Sequence, residues 1–209
     1  MGVLPLVILF LDDGYQYLIP LIIFNNVMDD LDGILAAKLN IRSRFGGDLD
    51  NTCDAVAHVV LTLAVGAHFG GLLLAASTIA AGSIILRVTT RINPDAVTGT
   101  GSPTNELMRH MLFALLLAGQ FDLGLDYILI PVLLLHSVSM LAPFPMPALL
   151  RSQTRSAPMV ALVNVALVAA WLLPPVTPSV AAAFMGTYLY AFAAGTARWP
   201  KQRGAKTRP

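Results

Sequence analysis

Six aspartates fall between positions 29 and 54: Asp29, Asp30, Asp32, Asp48, Asp50 and Asp54. Asp29 and Asp32 are three apart, and Asp50 and Asp54 are four apart. On helices, each spacing places its pair on one face. Two adjacent antiparallel helices then aim four carboxylates at a common point. Repulsion and desolvation make four bare carboxylates in one membrane-level pocket unfavourable, and one or two cations remove the penalty. Oxygen-only ligands favour Mg2+ or Mn2+. A pair of divalent ions bridged by carboxylates is a device for chemistry at phosphorus. Small residues frame the acids: Gly33 follows Asp32, Ala36 lies one turn on, and Gly46-Gly47 precede Asp50. Missing side chains let a nucleotide or pyrophosphate lie against the backbone. The alternative is a surface loop that merely carries acids. The matched spacings and interleaved small residues argue against it for the set. Asp30 and Asp48 are expected to point away from the cluster, and Cys53 to face elsewhere. His58, four residues after Asp54, is either a partner of the carboxylates or a buried neutral imidazole. Asn25, Asn26 and Asn164 are costly in apolar helices unless bonded across to another span.

These residues need helices to position them, and composition says which kind. Of 209 residues, 56% are hydrophobic and 12% charged, and the net charge is +1. Soluble domains carry about 25% charged residues. Mean hydropathy is +0.71. A soluble monomer of this size cannot hide that much apolar surface. Disorder, coiled coil and nucleic-acid binding are argued against, and one cysteine forms no intrachain disulfide framework. The expected class is an all-α polytopic membrane bundle of about eight transmembrane helices. The apolar segments run Gly2–Leu11, Tyr15–Leu35, Leu49–Ala67, Phe69–Leu86, Glu106–Gly119, Tyr127–Leu141, Pro158–Leu173 and Val180–Thr196. Continuous rather than alternating apolarity excludes a barrel. The first segment is half a span, so either the chain starts upstream or its first helix is short and tilted or partly interfacial.

Every Lys and Arg falls in alternate links or in the tail. Lys38, Arg42 and Arg44 follow the second segment, and Arg87, Arg91 and Arg109 flank the link between the fourth and fifth. Arg151 and Arg155 follow the sixth, and five basic residues follow Ala197. This positive-inside pattern puts both termini and the acids on the cytoplasmic face of a cell (inner) membrane. Residues 1–197 read as one transmembrane catalytic domain. Residues 198–209 read as a basic cytoplasmic tail, a flexible arm near anionic headgroups. Arg109, His110 and His136 read as topological or helix-interface residues.

The run from Asp29 to Asp54 resembles the signature of the CDP-alcohol phosphatidyltransferase family, D-x2-D-G-x2-A-R-x8-G-x3-D-x3-D. Asp29, Asp32, Gly33, Ala36, Gly46, Asp50 and Asp54 match at the correct spacing, and Ala37 stands where the family has Arg. Lys38, Arg42 or Arg44 would have to reach in instead, and Lys and Arg differ as phosphate clamps. Within the family the chain is most similar to the small phosphatidylserine synthases. The similarity rests on Ser43-Arg44-Phe45-Gly46 with Leu49-Asp50, on Arg87 with Arg91-Ile92-Asn93, on Gly101-Ser102-Pro103, and on Ser139 with Pro143-Phe144-Pro145.

The resemblance implies transfer of the phosphatidyl group of CDP-diacylglycerol to an alcohol, L-serine in this branch, with release of CMP. It implies Asp29, Asp32, Asp50 and Asp54 as metal ligands, with Asp54 also the catalytic base. It implies two Mg2+ or Mn2+ ions, and Gly33, Ala36, Lys38, Arg42 and Gly46 around the nucleotide. A homodimer in membrane lipid is also implied. A serine carboxylate calls for a guanidinium, and Arg87 and Arg91 are the expected acceptor residues. The rival readings are glycerol 3-phosphate, inositol phosphate or another polyol as acceptor, a cation transporter, and a non-catalytic relative. A transporter would need charged or broken elements at the midplane, where this chain is nearly uncharged.

Overall fold

The computed structural model describes residues 3–92, 101–146 and 157–206. Arg151 and Arg155, and Asn93 of the basic link, lie outside the described residues. Among the described residues the chain is helical, without strands. Each apolar segment after the first becomes an α-helix: α1 (Leu18–Lys38), α2 (Arg44–Phe69), α3 (Gly71–Ile92), α4 (Thr104–Phe121), α5 (Leu125–Leu141), α6 (Ala157–Leu172) and α7 (Thr177–Lys206). Three stretches, Arg44–Phe69, Gly71–Ile92 and Pro174–Trp199, are long and apolar enough to cross a membrane. Leu125–Leu141 and Pro158–Leu172 are shorter apolar helices. The protein is therefore an all-helical membrane protein, but the expected count of about eight spans is not confirmed. The first apolar segment is short, as its length implied, but is not an α-helix. It forms a seven-residue 3-10 helix, Leu4–Phe10, with Pro at its start. At about 2 Å per residue it covers roughly 14 Å, half the bilayer core.

Two further expectations change. The arm expected from Arg198 onward is helical through Lys206, because α7 continues past Trp199. The ring of Trp199 lies 5.7 Å from that of Phe144 and holds this helix against the segment after α5. Helices α2, α4, α5 and α7 also begin two to five residues before their apolar runs, and α6 one residue before. Helix α2 starts at Arg44, where Ser43 Oγ accepts from the Gly46 N–H at 3.0 Å and caps the first turn.

Helix α2 packs most extensively on α3, and α3 on α5. Helix α1 lies against α2, α4 and α6. The α2–α3 turn requires glycine: Gly70 and Gly71 have φ of +70° and +53°. Just before it, a Cβ on Gly66 would collide with the Ser77 side chain, so a small residue lets the two backbones approach. The core is aliphatic, with Leu61, Leu73, Ile84, Leu107, Met111 and Leu133 fully buried. Many large apolar side chains remain exposed, Leu72 and Val138 among them, as lipid contact requires.

The ends of α1 and α2 show that they run antiparallel. Tyr15, just before α1, stacks on His68, near the end of α2, with centroids 3.5 Å apart. The last turns of α1 and the first turns of α2 therefore share the other end of the bundle, joined by the short turn 39–43.

Candidate active site

That shared end carries the acids. Asp29 and Asp32 project from the last three turns of α1, and Asp50 and Asp54 from the first three of α2. Oxygens of Asp29, Asp32 and Asp50 all lie within 4.8 Å of one another. This is the convergence expected from the spacing. Asp54 is half-buried against Asp29 but is not one of that trio. Three hard oxygen donors at this separation fit a divalent cation.

Two cavities meet at the cluster. The larger is about 540 Å³, the smaller about 140 Å³, and Asp29, Gly47, Asp50 and Asp54 line both. Gly33, Ala36, Gly46 and Arg42 line the larger one. A Cβ built on Gly33 or Gly47 would meet nothing within 4 Å. Glycine inside a helix costs about 1 kcal/mol relative to alanine. The protein's own packing does not require it at these positions. Arg87 and Arg91, from the last turns of α3, line the smaller cavity. Lys38 is exposed and lines neither cavity.

Cys53 departs from expectation. It lines the larger cavity beside the acids. The reason is helical: Cys53 lies three residues after Asp50 and shares its face. Asp30 points away from the trio, as expected, but it is held by protein. Asn164 Nδ2 donates to it at 2.8 Å, and Asn26 Nδ2 at 3.3 Å. His58 is a buried, hydrogen-bonded imidazole, bonded to Asn25 and Thr104 rather than to a carboxylate.

Thr104 and Asn105 carried no signal in the sequence, and Pro103 only a loose one. Pro103, Thr104 and Asn105, at the start of α4, line the smaller cavity, and Asn105 Nδ2 donates to Asp29. This corner is pinned from behind. Ser102 N–H donates to the Ser139 carbonyl at 3.0 Å, and the two hydroxyls bond at 3.0 Å. Ser139 Oγ also bonds Tyr188. A Cβ on Gly101 would strike the Ser139 carbonyl. From the other side, Arg87 Nε donates to the Ser102 carbonyl at 3.3 Å. Ser102 and Ser139 belong to separate runs in the sequence, and only the packing of the helices shows that they bond to each other.

The family model for CDP-alcohol phosphatidyltransferases matches residues 1–199. The chain belongs to the CDP-alcohol phosphatidyltransferase family. No curated protein matches it in sequence. Membership makes this CDP-alcohol phosphatidyltransferase an enzyme of phospholipid biosynthesis that transfers a phosphatidyl group from a CDP-alcohol to an acceptor. The family uses divalent metal ions, and the Asp29–Asp32–Asp50 cluster has the donors to hold one.

Proposed function

We propose that the substrate pair is CDP-diacylglycerol and L-serine, with phosphatidylserine and CMP as products. The observation that carries this reading is the pair of cavities with a common acidic wall. One is large and glycine-lined; the other is small and bears two guanidinium groups. A volume of about 140 Å³ favours a small acceptor over a phosphorylated inositol. Two guanidiniums match a carboxylate-bearing alcohol, since planar N–H forks pair with carboxylates in bidentate fashion. The contact between Gly101-Ser102 and Ser139 adds support. These are separate runs of the phosphatidylserine synthase resemblance, and they meet beside Arg87.

In this reading Asp29, Asp32 and Asp50 hold two Mg2+ or Mn2+ ions, with Asp54 at their edge. The ions supply charge neutralisation of the pyrophosphate and of the departing CMP. The chain's own residues do the rest. Gly33, Ala36 and Gly46 let the cytidine diphosphate lie against the α1 and α2 backbones. Arg42 supplies the cation that Ala37 lacks; exposed Lys38 contributes at most long-range charge. Arg87 and Arg91 orient the serine carboxylate. Asp54 faces both cavities and takes the proton of the serine hydroxyl. That oxygen bonds to the diacylglycerol-linked phosphorus as the bond to CMP breaks. The protein sits in the cell membrane, as a homodimer, with this end in the cytoplasm. Orientation is supported by Lys38, Arg42, Arg44, Arg87 and Arg91 gathering at the acidic end, while the links 70–71 and 122–124 carry no Lys or Arg.

The test is Arg91→Ala. A charge-assisted hydrogen bond is worth about 1.5–3 kcal/mol. The serine KM is therefore expected to rise by about 10- to 150-fold, with little change in the KM for CDP-diacylglycerol. An unchanged serine KM removes Arg91 from the acceptor site.

A further inference from the structure

A ring lies just beneath the acids: a chain of side-chain hydrogen bonds closed by one turn of the α1 backbone. It starts on α1 at Asn25, crosses to His58 on α2, passes to Thr104 and Asn105 on α4, and returns to α1 at Asp29. Asn25 Nδ2 is 3.3 Å from His58 Nε2, and His58 Nδ1 is 2.9 Å from Thr104 Oγ1. Thr104 Oγ1 is 3.5 Å from Asn105 Oδ1, and Asn105 Nδ2 meets an oxygen of Asp29. His58, Asn25 and Thr104 are buried.

The chemistry of the ring fixes its direction. An amide nitrogen only donates, so His58 Nε2 accepts from Asn25 and the imidazole proton sits on Nδ1. Nδ1 then donates to the Thr104 hydroxyl. The hydroxyl donates to the Asn105 carbonyl oxygen, and the Asn105 amide donates to Asp29. Every donor points the same way, and the sequence of bonds ends on a carboxylate, which only accepts. Turning over any one member alone breaks this run of donors and acceptors. Asn25 and Asp29 are one turn apart on α1, so the ring ties α2 and α4 to the same stretch of α1.

We propose that Asn105 is a positioning residue for Asp29. It occupies one acceptor direction of that carboxylate and leaves the others to the cluster with Asp32 and Asp50, while Thr104 and His58 hold the Asn105 amide in its orientation. The inference rests on the reading of Asp29, Asp32 and Asp50 as divalent-cation ligands. It adds residues outside that cluster that set its affinity, because groups bonded to metal ligands tune binding by about 10- to 100-fold.

The experiment measures Mn2+ binding to the purified full chain in detergent, by electron paramagnetic resonance of the free ion, with no substrate present. Asn105→Ala is expected to raise the Mn2+ dissociation constant by about 10- to 100-fold. Thr104→Val removes only the hydroxyl and is expected to weaken binding in the same direction. Thr104→Ser keeps the hydroxyl and is expected to restore it. Melting temperature in EDTA reports folding separately. Unchanged Mn2+ affinity in folded Asn105→Ala overturns the proposal. If that variant does not fold, equal affinities for Thr104→Val and Thr104→Ser overturn it instead. Wild-type protein that binds no Mn2+ overturns the metal reading itself, and the ring's role with it.

Discussion

CMP release by Asp54→Asn is expected to fall by a factor of about 10²–10⁴, the usual contribution of a positioned general base. Asn preserves the shape of the side chain but cannot take a proton from the acceptor hydroxyl. In the proposed reading this role is distinct from holding the ions. Asp29, Asp32 and Asp50 form the close trio, whereas Asp54 lies beside it on the wall common to both cavities. It is placed to reach a hydroxyl in the smaller cavity and a phosphorus in the larger. Mn2+ binding measured on the same variant is therefore expected to survive. Joint loss of Mn2+ binding and CMP release would make Asp54 a metal ligand instead of a base.

Arg109→Met is expected to destabilise the protein by about 3–5 kcal/mol, the penalty for leaving one member of a buried ion pair alone. Arg109 is 8% exposed. Its Nη1 pairs with Glu106 at 3.3 Å, and its Nε donates to Asn26 Oδ1 at 2.9 Å. Asn26 in turn donates to Asn164 Oδ1 at 2.8 Å, and Asn164 donates to Asp30. The pair is thus one end of a polar chain that ties α1 to α4 and α6 behind the acids. Removing the guanidinium strands the Glu106 carboxylate and the Asn26 carbonyl. The double variant Glu106→Leu with Arg109→Met removes both charges and is expected to recover most of the loss. Denaturant unfolding in micelles, followed by circular dichroism, measures both. Wild-type stability in Arg109→Met would contradict the assignment.

The contrast between these two residues shows what the sequence exposes. Asp54 was legible because its partner Asp50 is four residues away and its helix sets the geometry between them. The same local logic located Asp29 with Asp32, Gly33 and the seven long helices. It was incomplete for Cys53, whose spacing from Asp50 mattered more than its adjacency to Asp54. Arg109 was opaque because its reading as a topological charge needs only the neighbouring loop. Besides Glu106, three residues before it, Arg109 bonds Asn26, which is 83 positions away. The ring through His58 and Asn105 is opaque for the same reason: the Asn105–Asp29 bond joins residues 76 apart. Helix packing creates such bonds, and apolar periodicity does not encode which polar side chains will meet. The first segment was legible in length but not in its helix type. It was read as half a span from its length, and its residues Leu4–Phe10 fold as one short 3-10 helix with Pro5 in its first turn.

The central claim is that the acidic wall transfers a phosphatidyl group from CDP-diacylglycerol to a small carboxylate-bearing alcohol. The most direct measurement is CMP release by the purified chain in detergent with CDP-diacylglycerol and Mn2+ or Mg2+. L-serine, glycerol 3-phosphate and inositol phosphate would be supplied separately, and EDTA included as a control. The expected result is release with serine alone, abolished by EDTA. Release with a different acceptor would contradict the assignment of the smaller cavity. No release with any acceptor, from folded protein that binds Mn2+, would contradict catalysis and point to Ala37 as the residue that disables the site.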